Sequence, residues 1–178
     1  MARHAAAVAL FHYVHFRAFA HETEDEGKVR AALLHAAQDA RASVQETRVD
    51  GSHGNRILIL ETDVRSGAAE KHVFSALARD DPGGFERVAR TLRERVDENL
   101  SFHLRLDKQE AFGGRSVLAT DDDAITVRGK IRLFGSKRST DGLERSLQQL
   151  EAFFLGVGSP SASRTVKREH SSHVEQSE

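Results

Sequence analysis

The sequence predicts one α/β domain of the α+β type, in which a mixed β-sheet packs with helices. Segments of alternating or unbroken apolar residues, typical of strands, are separated by segments with helical spacing. The 178 residues, 39% hydrophobic and 30% charged, suit one core, because two domains would each be near the lower size limit. We predict a domain over residues 11–156, an N-terminal extension over 1–10 and a disordered polar tail over 157–178, where apolar periodicity ends.

The beginning of the domain has the pattern of a strand followed by a helix. Residues 12–19 are rich in aromatic and β-branched types, which favour a strand. In the acidic run that follows, Thr23 and Glu26 have the spacing of a helix-capping box. Apolar residues then recur at every fourth position to about residue 39, so one face of this helix is expected in the core.

A hairpin comes next, with strands predicted over residues 44–49 and 56–63. The unbroken apolar centre of its second strand predicts burial on both faces. Its connecting loop offers an imidazole, an amide and a guanidinium from His53, Asn55 and Arg56, groups that can contact phosphate. The alternative is an ordinary turn rich in glycine and asparagine.

The rest of the domain is predicted to contain two helices, three strands and a final helix. These elements cover residues 68–79, 84–99, 100–106, 116–119, 125–133 and 139–155. Apolar stripes mark the helices over 84–99 and 139–155, and strict alternation marks the strands over 100–106 and 125–133.

Composition narrows the function classes. The chain contains no cysteine, which excludes disulfides, thiolate zinc sites and thiol nucleophiles. The apolar run near the start is too short for a signal peptide, and no stretch reaches the roughly 20 apolar residues that span a bilayer, so we expect a cytoplasmic protein. The formal net charge is -1, but residues 100–138 carry eight Lys and Arg against five Asp and Glu, a basic segment in an acidic chain.

The strand over residues 125–133 provides the strongest binding candidate. Arg128, Lys130 and Arg132 recur at every second position, so they are expected to project from one side of the strand. An anion bound there would relieve their repulsion, whereas the alternative is an edge strand protected by charges against aggregation. Cations from neighbouring segments would extend the basic surface, namely Arg105, Lys108, Lys137 and Arg138, together with His103.

The turn over residues 107–114 combines a cation, an amide, an aromatic ring and two glycines. Lys108, Gln109 and Phe112 could approach a nucleic-acid backbone and position a base. An ordinary loop with Phe112 in the core is the alternative. The three aspartates over 121–123 could bind Mg²⁺, but consecutive acids point in different directions and suit a tight turn. We predict no catalytic residue, metal site or cofactor.

Several ordered blocks of sequence resemble a known family. They are HYV with RAF near residues 12–19, TEDE over 23–26, Gly51 with His53-Gly54-Asn55, LRLDKQEAFG over 104–113, and residues 125–130 leading to Lys137-Arg138. The LDKQEAF run is the most specific of them. The chain is thereby similar to a family of archaeal RNA-binding proteins proposed as exosome subunits, over roughly residues 12–155.

This resemblance implies a fold similar to that of the ribosomal protein that binds 5S ribosomal RNA, with RNA as partner and no established enzymatic activity. The leading hypothesis is an RNA-binding protein associated with RNA processing or the exosome. A second hypothesis is a protein-interaction subunit of an RNA-processing complex, in which the basic strand meets an acidic partner or adds to a sheet. A third is a metal-dependent nuclease that uses the acids over 121–123.

Overall fold

The computed structural model describes residues 9–51, 54–133 and 140–158 of the chain. Strands and helices alternate along it, with a short 3-10 turn at Arg93–Arg95. The elements are β1 (Phe11–His21), α1 (Glu26–Ala36), β2 (Gln45–Asp50), β3 (Arg56–Val64), α2 (Gly67–Asp80), α3 (Pro82–Arg90), β4 (Ser101–Asp107), α4 (Lys108–Phe112), β5 (Ala124–Ile131) and α5 (Thr140–Gly158).

The strands form one five-stranded sheet in the order β2-β3-β1-β5-β4. Every strand pairing in it is antiparallel, so the α+β class is confirmed and the predicted mixed sheet is wrong. Alternate residues of β1, β3, β5 and β4 are buried on one face, and the helices pack there. The opposite face carries no helix in the described part of the chain.

An aromatic cluster joins the sheet to the helices. Phe74 of α2 lies with its ring centroid 5.9 Å from that of Phe11, 6.0 Å from Phe102 and 5.0 Å from Phe154. These rings come from β1, β4 and α5, and all four are almost fully buried. Gly129 of β5 completes the packing, because a Cβ at this position would lie 2.6 Å from the Phe11 ring.

The helix boundaries differ from the predicted ones. Asp25, not Thr23, caps α1, since its Oδ1 accepts the N–H of Lys28 at 3.0 Å. Helix α3 ends at Arg90, well before residue 99. The apolar stripe beyond it is still used: Leu92 is buried and Val96 forms a β-bridge with Phe102. A buried stripe therefore does not require a continuous helix.

The strand boundaries bring further corrections. Residues 116–119 form no strand, but only a bridge between Leu118 and Leu106. Strand β3 is buried on one face only, since its isoleucines, Ile57 and Ile59, lie half-exposed on the other. Helix α5 continues to Gly158, beyond the predicted domain limit at 156, and its Val157 is buried. Among the residues described, no helix is both long and apolar enough to span a membrane.

Buried Glu70 gives the stability of the fold a pH dependence of its own. Its Oε2 accepts the N–H of Leu10 at 3.1 Å. Burial raises the pKa of Glu70 above the ordinary 4.5, and this outweighs the opposing effects of the Leu10 and Phe11 N–H groups and of Arg132. With a raised folded-state pKa, the contribution is full below the ordinary pKa and is lost as pH rises through the folded value.

We therefore expect the free energy of unfolding of Glu70→Gln to rise relative to that of the wild type as the pH increases above 4.5. All other titrating groups are common to both proteins, so their effects cancel in the difference. Urea denaturation of both proteins at three pH values between 4.5 and 7 measures this difference. A difference that stays constant with pH would contradict the assignment.

Candidate nucleic-acid interface

The sheet face opposite the helices presents side chains from all the strands. We call this surface the open face. Paired residues share a face in an antiparallel sheet, and the register assigns these residues to it: Gln45, Thr47 and Val49 of β2; Ile57, Ile59, Glu61 and Asp63 of β3; Tyr13, His15, Arg17, Phe19 and His21 of β1; Thr126, Arg128 and Lys130 of β5; His103 and Arg105 of β4.

Arg128 lies on β5, next to β1, the central strand of the open face. It lies directly between His15 on β1 and His103 on β4. Its Nη2 donates to Ser101 Oγ at 3.1 Å, and no ion pair joins it to a carboxylate among the described residues. The other arginines of the open face are paired: Arg17 with Glu61 at 2.6 Å and Arg105 with Asp122 at 3.0 Å. Arg128 is therefore the arginine of the open face that is best placed to bind an external anion.

Lys130 lies two residues further along β5, on the same side. Its Nζ donates to the carbonyl of Asn99, within a turn that Asp97 organises. Asp97 Oδ1 accepts the N–H groups of Asn99 and Ser101 at 2.9 and 2.8 Å, while Oδ2 bonds His103 Nε2 at 2.9 Å. The hydrogen bond with His103 lowers the pKa of Asp97 more than any other contact. One carboxylate thus orders both the turn beneath Lys130 and the imidazole beside Arg128.

Both long edges of β5 are occupied, because β1 and β4 flank it. The protected-edge explanation for its cations is therefore wrong, and β5 cannot add to a partner's sheet. Beyond β4, the backbone pairs again: Asp97 N donates to Ser101 O at 3.0 Å, and Ala119 N donates to Arg105 O at 3.0 Å. Strand β2 is consequently the sheet edge without such backbone pairing on its outer side in the described part of the chain.

Arg132 does not continue the row of Arg128 and Lys130, contrary to the prediction. Strand β5 ends at Ile131, where a register shift between Phe11 and Tyr13 interrupts its pairing with β1. The guanidinium of Arg132 instead donates through Nε to the Phe11 carbonyl at 2.8 Å. Arg132 is half-buried and thus holds the start of β1 in place through this hydrogen bond.

Lys108 was predicted as a phosphate contact, and the structure does not leave it accessible. Its side chain is 3% exposed. The Nζ group donates to the Phe19 carbonyl at 3.0 Å and pairs with Glu24 at 2.7 Å and Asp123 at 2.5 Å. Lys108 therefore joins the end of β1, the turn before α1 and the turn before β5. Lys108 belongs to the LDKQEAF run, and its contacts there stabilise the fold.

The remaining candidates lie apart from the centre of the open face. Gln109 is exposed on α4, which packs on α1 on the helix side. Phe112 is 49% exposed, with Lys28 Nζ 5.7 Å from its ring centroid, so it is not in the core. Asn55 and Arg56 are exposed at the end of the β2–β3 hairpin. Three candidates, His53, Lys137 and Arg138, lie outside the described residues.

The acids over 121–123 have separate structural partners. Asp121 Oδ1 accepts the N–H of Asp123 at 3.1 Å, as in a tight turn. Asp122 pairs with Arg105, and Asp123 pairs with Lys108. Within residues 9–51, 54–133 and 140–158, no group of three His, Cys, Asp or Glu side chains is arranged to hold a metal ion.

Two residues of the open face were missed as candidates, His15 and Arg17. His15 bonds Asp63 at 2.8 Å and Glu61 at 3.2 Å. Burial raises the pKa of Glu61, but the hydrogen bond and charge of Arg17, together with His15, lower it overall. The alternation of β1 was the available signal, but only the strand order places these side chains beside Arg128.

Comparison with known proteins gives relatives over most of the domain. RNA-binding protein PAB1135 of Pyrococcus abyssi is 30% identical over 137 residues, which cover 71% of this chain and 86% of the relative. Uncharacterized protein MJ0213 of Methanocaldococcus jannaschii is 29% identical over 149 residues, which cover 78% of this chain and 94% of the relative. Both relatives are archaeal.

Solved structures of DUF54 proteins have the same fold. Protein AF2318 from Archaeglobus fulgidus superposes with a TM-score of 0.64 at 25% identity, covering 80% of this chain and 99% of the other. Mth689 from Methanothermobacter thermautotrophicus gives a TM-score of 0.63 at 26% identity, covering 82% and 98%. The model of a family described as RNA binding matches residues 13–131. The chain therefore belongs to this RNA-binding family.

Proposed function

We propose that the protein binds RNA through the open face, with Arg128 and Lys130 as phosphate contacts, and that it carries out no chemistry of its own. The observation that carries this proposal is the position of Arg128. It is exposed on the uncovered face of the sheet, with imidazoles on both sides and no carboxylate partner among the described residues. A nucleic-acid phosphate supplies the missing anion.

The family match and the name of the Pyrococcus abyssi relative support RNA as the ligand. The location of the cations supports the surface. Strand β5 is held on both sides by other strands, so its exposed side chains are fixed on a rigid scaffold and need little ordering when RNA binds. Arg105 and Arg17 lie beside Arg128 and extend the basic surface, although each is paired with an acid.

The finer expectations remain predictions. They are a likeness to the ribosomal protein that binds 5S ribosomal RNA, a cytoplasmic location and association with the exosome. Asn55, Arg56 and Gln109 also stay predictions as polar contacts away from Arg128, because each is exposed. Contact with Asn55 and Arg56 requires an RNA long enough to reach from Arg128 to the end of the hairpin.

We expect the double variant Arg128→Ala/Lys130→Ala to bind RNA roughly 100-fold or more weakly than the wild type at low salt, because a hydrogen bond to a charged group contributes about 1.5–3 kcal/mol net of its exchange with water and each 1.4 kcal/mol is about tenfold in affinity. Each lost phosphate contact should also reduce the slope of log K against log salt by about 0.7 on a single strand. Fluorescence anisotropy with a labelled RNA at two salt concentrations measures both quantities.

The matched control is Arg87→Ala/Arg90→Ala, which removes the same charge from exposed positions on α3. This control should retain wild-type affinity and slope, apart from a small general electrostatic effect. Equal losses in the two double variants would mean that RNA responds to net charge and not to the open face. An unchanged affinity in the β5 variant would overturn the proposed surface.

A second candidate function is protein binding, and a different part of the open face favours it. Phe19 and Val49 are 37% and 38% exposed, and they lie across from Ile59 and Ile57 in the sheet. This apolar area lies next to the β2 edge, where an added strand could pair. If this area binds a subunit of an RNA-processing complex, the association between the two proteins should persist after ribonuclease treatment. An association mediated by RNA would be lost.

A further inference from the structure

A pocket of about 500 Å³ opens at the β4 side of the open face. The segment around the Arg93–Arg95 turn forms one wall, and residues 118–119 form the other. Both walls are fixed to β4 by backbone contacts, the bridge from Val96 to Phe102 and the bond from Ala119 N to Arg105 O. The pocket is therefore preformed, and its volume lies within the roughly 300–1,000 Å³ that is typical of small-ligand sites.

The lining combines apolar surface with hydrogen-bonding groups. Leu118 and Ala119 supply apolar contact, and Arg95 offers guanidinium nitrogens. His103 and Asp97, which are bonded to each other, add an imidazole and a carboxylate. Arg95 Nε donates to Thr91 Oγ1 at 2.9 Å, and the other N–H groups of its guanidinium bond no residue that the structure describes. Apolar walls with donors and acceptors at the rim match a nucleobase, which has flat apolar faces and a polar edge.

The pocket is continuous with the proposed phosphate site. His103 lines the pocket and is the direct cross-strand neighbour of Arg128. Thr126, two positions before Arg128 on the same side of β5, also lines it. Directly opposed residues in an antiparallel pair lie about 4.5–5.5 Å apart, so a phosphate on Arg128 brings the adjoining base to the mouth of the pocket.

We propose that this pocket holds one unpaired base of the bound RNA, next to the phosphate at Arg128. The inference rests on the proposed function and adds a preference to it. A base in a continuous duplex is stacked and paired, so it can enter the pocket only after it is unstacked and unpaired, which costs free energy. The protein should therefore prefer RNA with an unpaired loop over a blunt duplex of equal length.

Ala119→Trp fills the pocket and tests the proposal. Affinities are measured by anisotropy for two labelled RNAs, a hairpin with an unpaired loop and a blunt duplex with the same number of nucleotides. The variant should lose the wild-type preference for the hairpin. Its affinity for the hairpin should fall by about 5- to 100-fold, the usual contribution of one stacked base. Its affinity for the duplex should stay unchanged.

Two further variants make the result specific. Arg95→Ala removes a polar group from the pocket with little effect on packing, so it tests the proposal if Ala119→Trp fails to fold. Ala152→Trp adds the same indole at an exposed position on α5 and should bind both RNAs as the wild type does. Circular dichroism establishes that each variant is folded.

The outcomes separate this proposal from the function on which it rests. A hairpin preference that persists in folded Ala119→Trp or in Arg95→Ala overturns the base pocket, while the RNA-binding function stands. Equal wild-type affinity for the two RNAs also overturns the pocket alone. Failure of the wild type to bind either RNA at low salt overturns both proposals. Arg128→Ala should weaken binding of both RNAs alike.

Discussion

Replacing Phe74 with alanine should lower the free energy of unfolding by about 3–5 kcal/mol, the range for large-to-small changes of buried aromatic residues. Phe74 is fully buried and its ring contacts those of Phe11, Phe102 and Phe154. These rings belong to two strands and to α5, so the cavity would lie where the sheet meets the helices. The surrounding rings belong to separate elements, which limits how far they can move to fill it.

Urea denaturation of the wild type and Phe74→Ala measures this effect. Phe112→Ala is the matched control, because Phe112 is 49% exposed and contacts Lys28 at the surface. The control should change the free energy of unfolding by less than about 1 kcal/mol. Similar losses in the two variants would show that the aromatic cluster is not the centre of the core.

The second large effect concerns Lys108, which we expect to be needed for stability and not for RNA affinity. Lys108→Met keeps most of the length of the side chain but removes its contacts with Phe19, Glu24 and Asp123. Breaking a buried pair costs about 3–5 kcal/mol. Glu24 and Asp123 are 22% and 46% exposed, so both carboxylates can regain water. We therefore expect Lys108→Met to lower the free energy of unfolding by about 2–3 kcal/mol, at or below the lower limit of that range.

Lys71→Met provides the control for Lys108, because it makes the same substitution at an exposed position on α2. Denaturation should leave this control within about 0.5 kcal/mol of the wild type. RNA affinity is measured for both variants at a temperature at which both are folded. If Lys108→Met is as stable as the wild type but loses RNA affinity, then Lys108 is a phosphate contact as the sequence suggested.

The alternation of polar and apolar residues correctly placed Arg128 and Lys130 on one side of a strand. This succeeded because side-chain direction in a strand has a fixed period of two residues, whatever its neighbours. Arg132 follows the same pattern in sequence, but the irregular pairing of β1 near Phe11 ends β5 before it. A register shift in one strand depends on its partner, and local pattern carries no information about it.

Lys108 and the strand order show a second limit of local pattern. Lys108 is buried by groups from β1, from the turn before α1 and from the turn before β5, which are distant in sequence. Whether a charged residue is exposed or paired in the interior depends on such contacts. The interior position of β5 follows from its pairing with both β1 and β4, and the same pairing brings His15 and His103 to Arg128. None of this could be predicted from spacing within one segment.

The most direct test of the account is to map the bound RNA on the protein by nuclear magnetic resonance. RNA is titrated into isotopically labelled protein, and shifts of backbone amides and arginine Nε–H signals are followed. We predict the largest changes at Arg128 and Lys130, with smaller ones at His15 and His103. Changes concentrated on α3 and α5, with the open face unaffected, would contradict the claim that this protein binds RNA through its uncovered sheet.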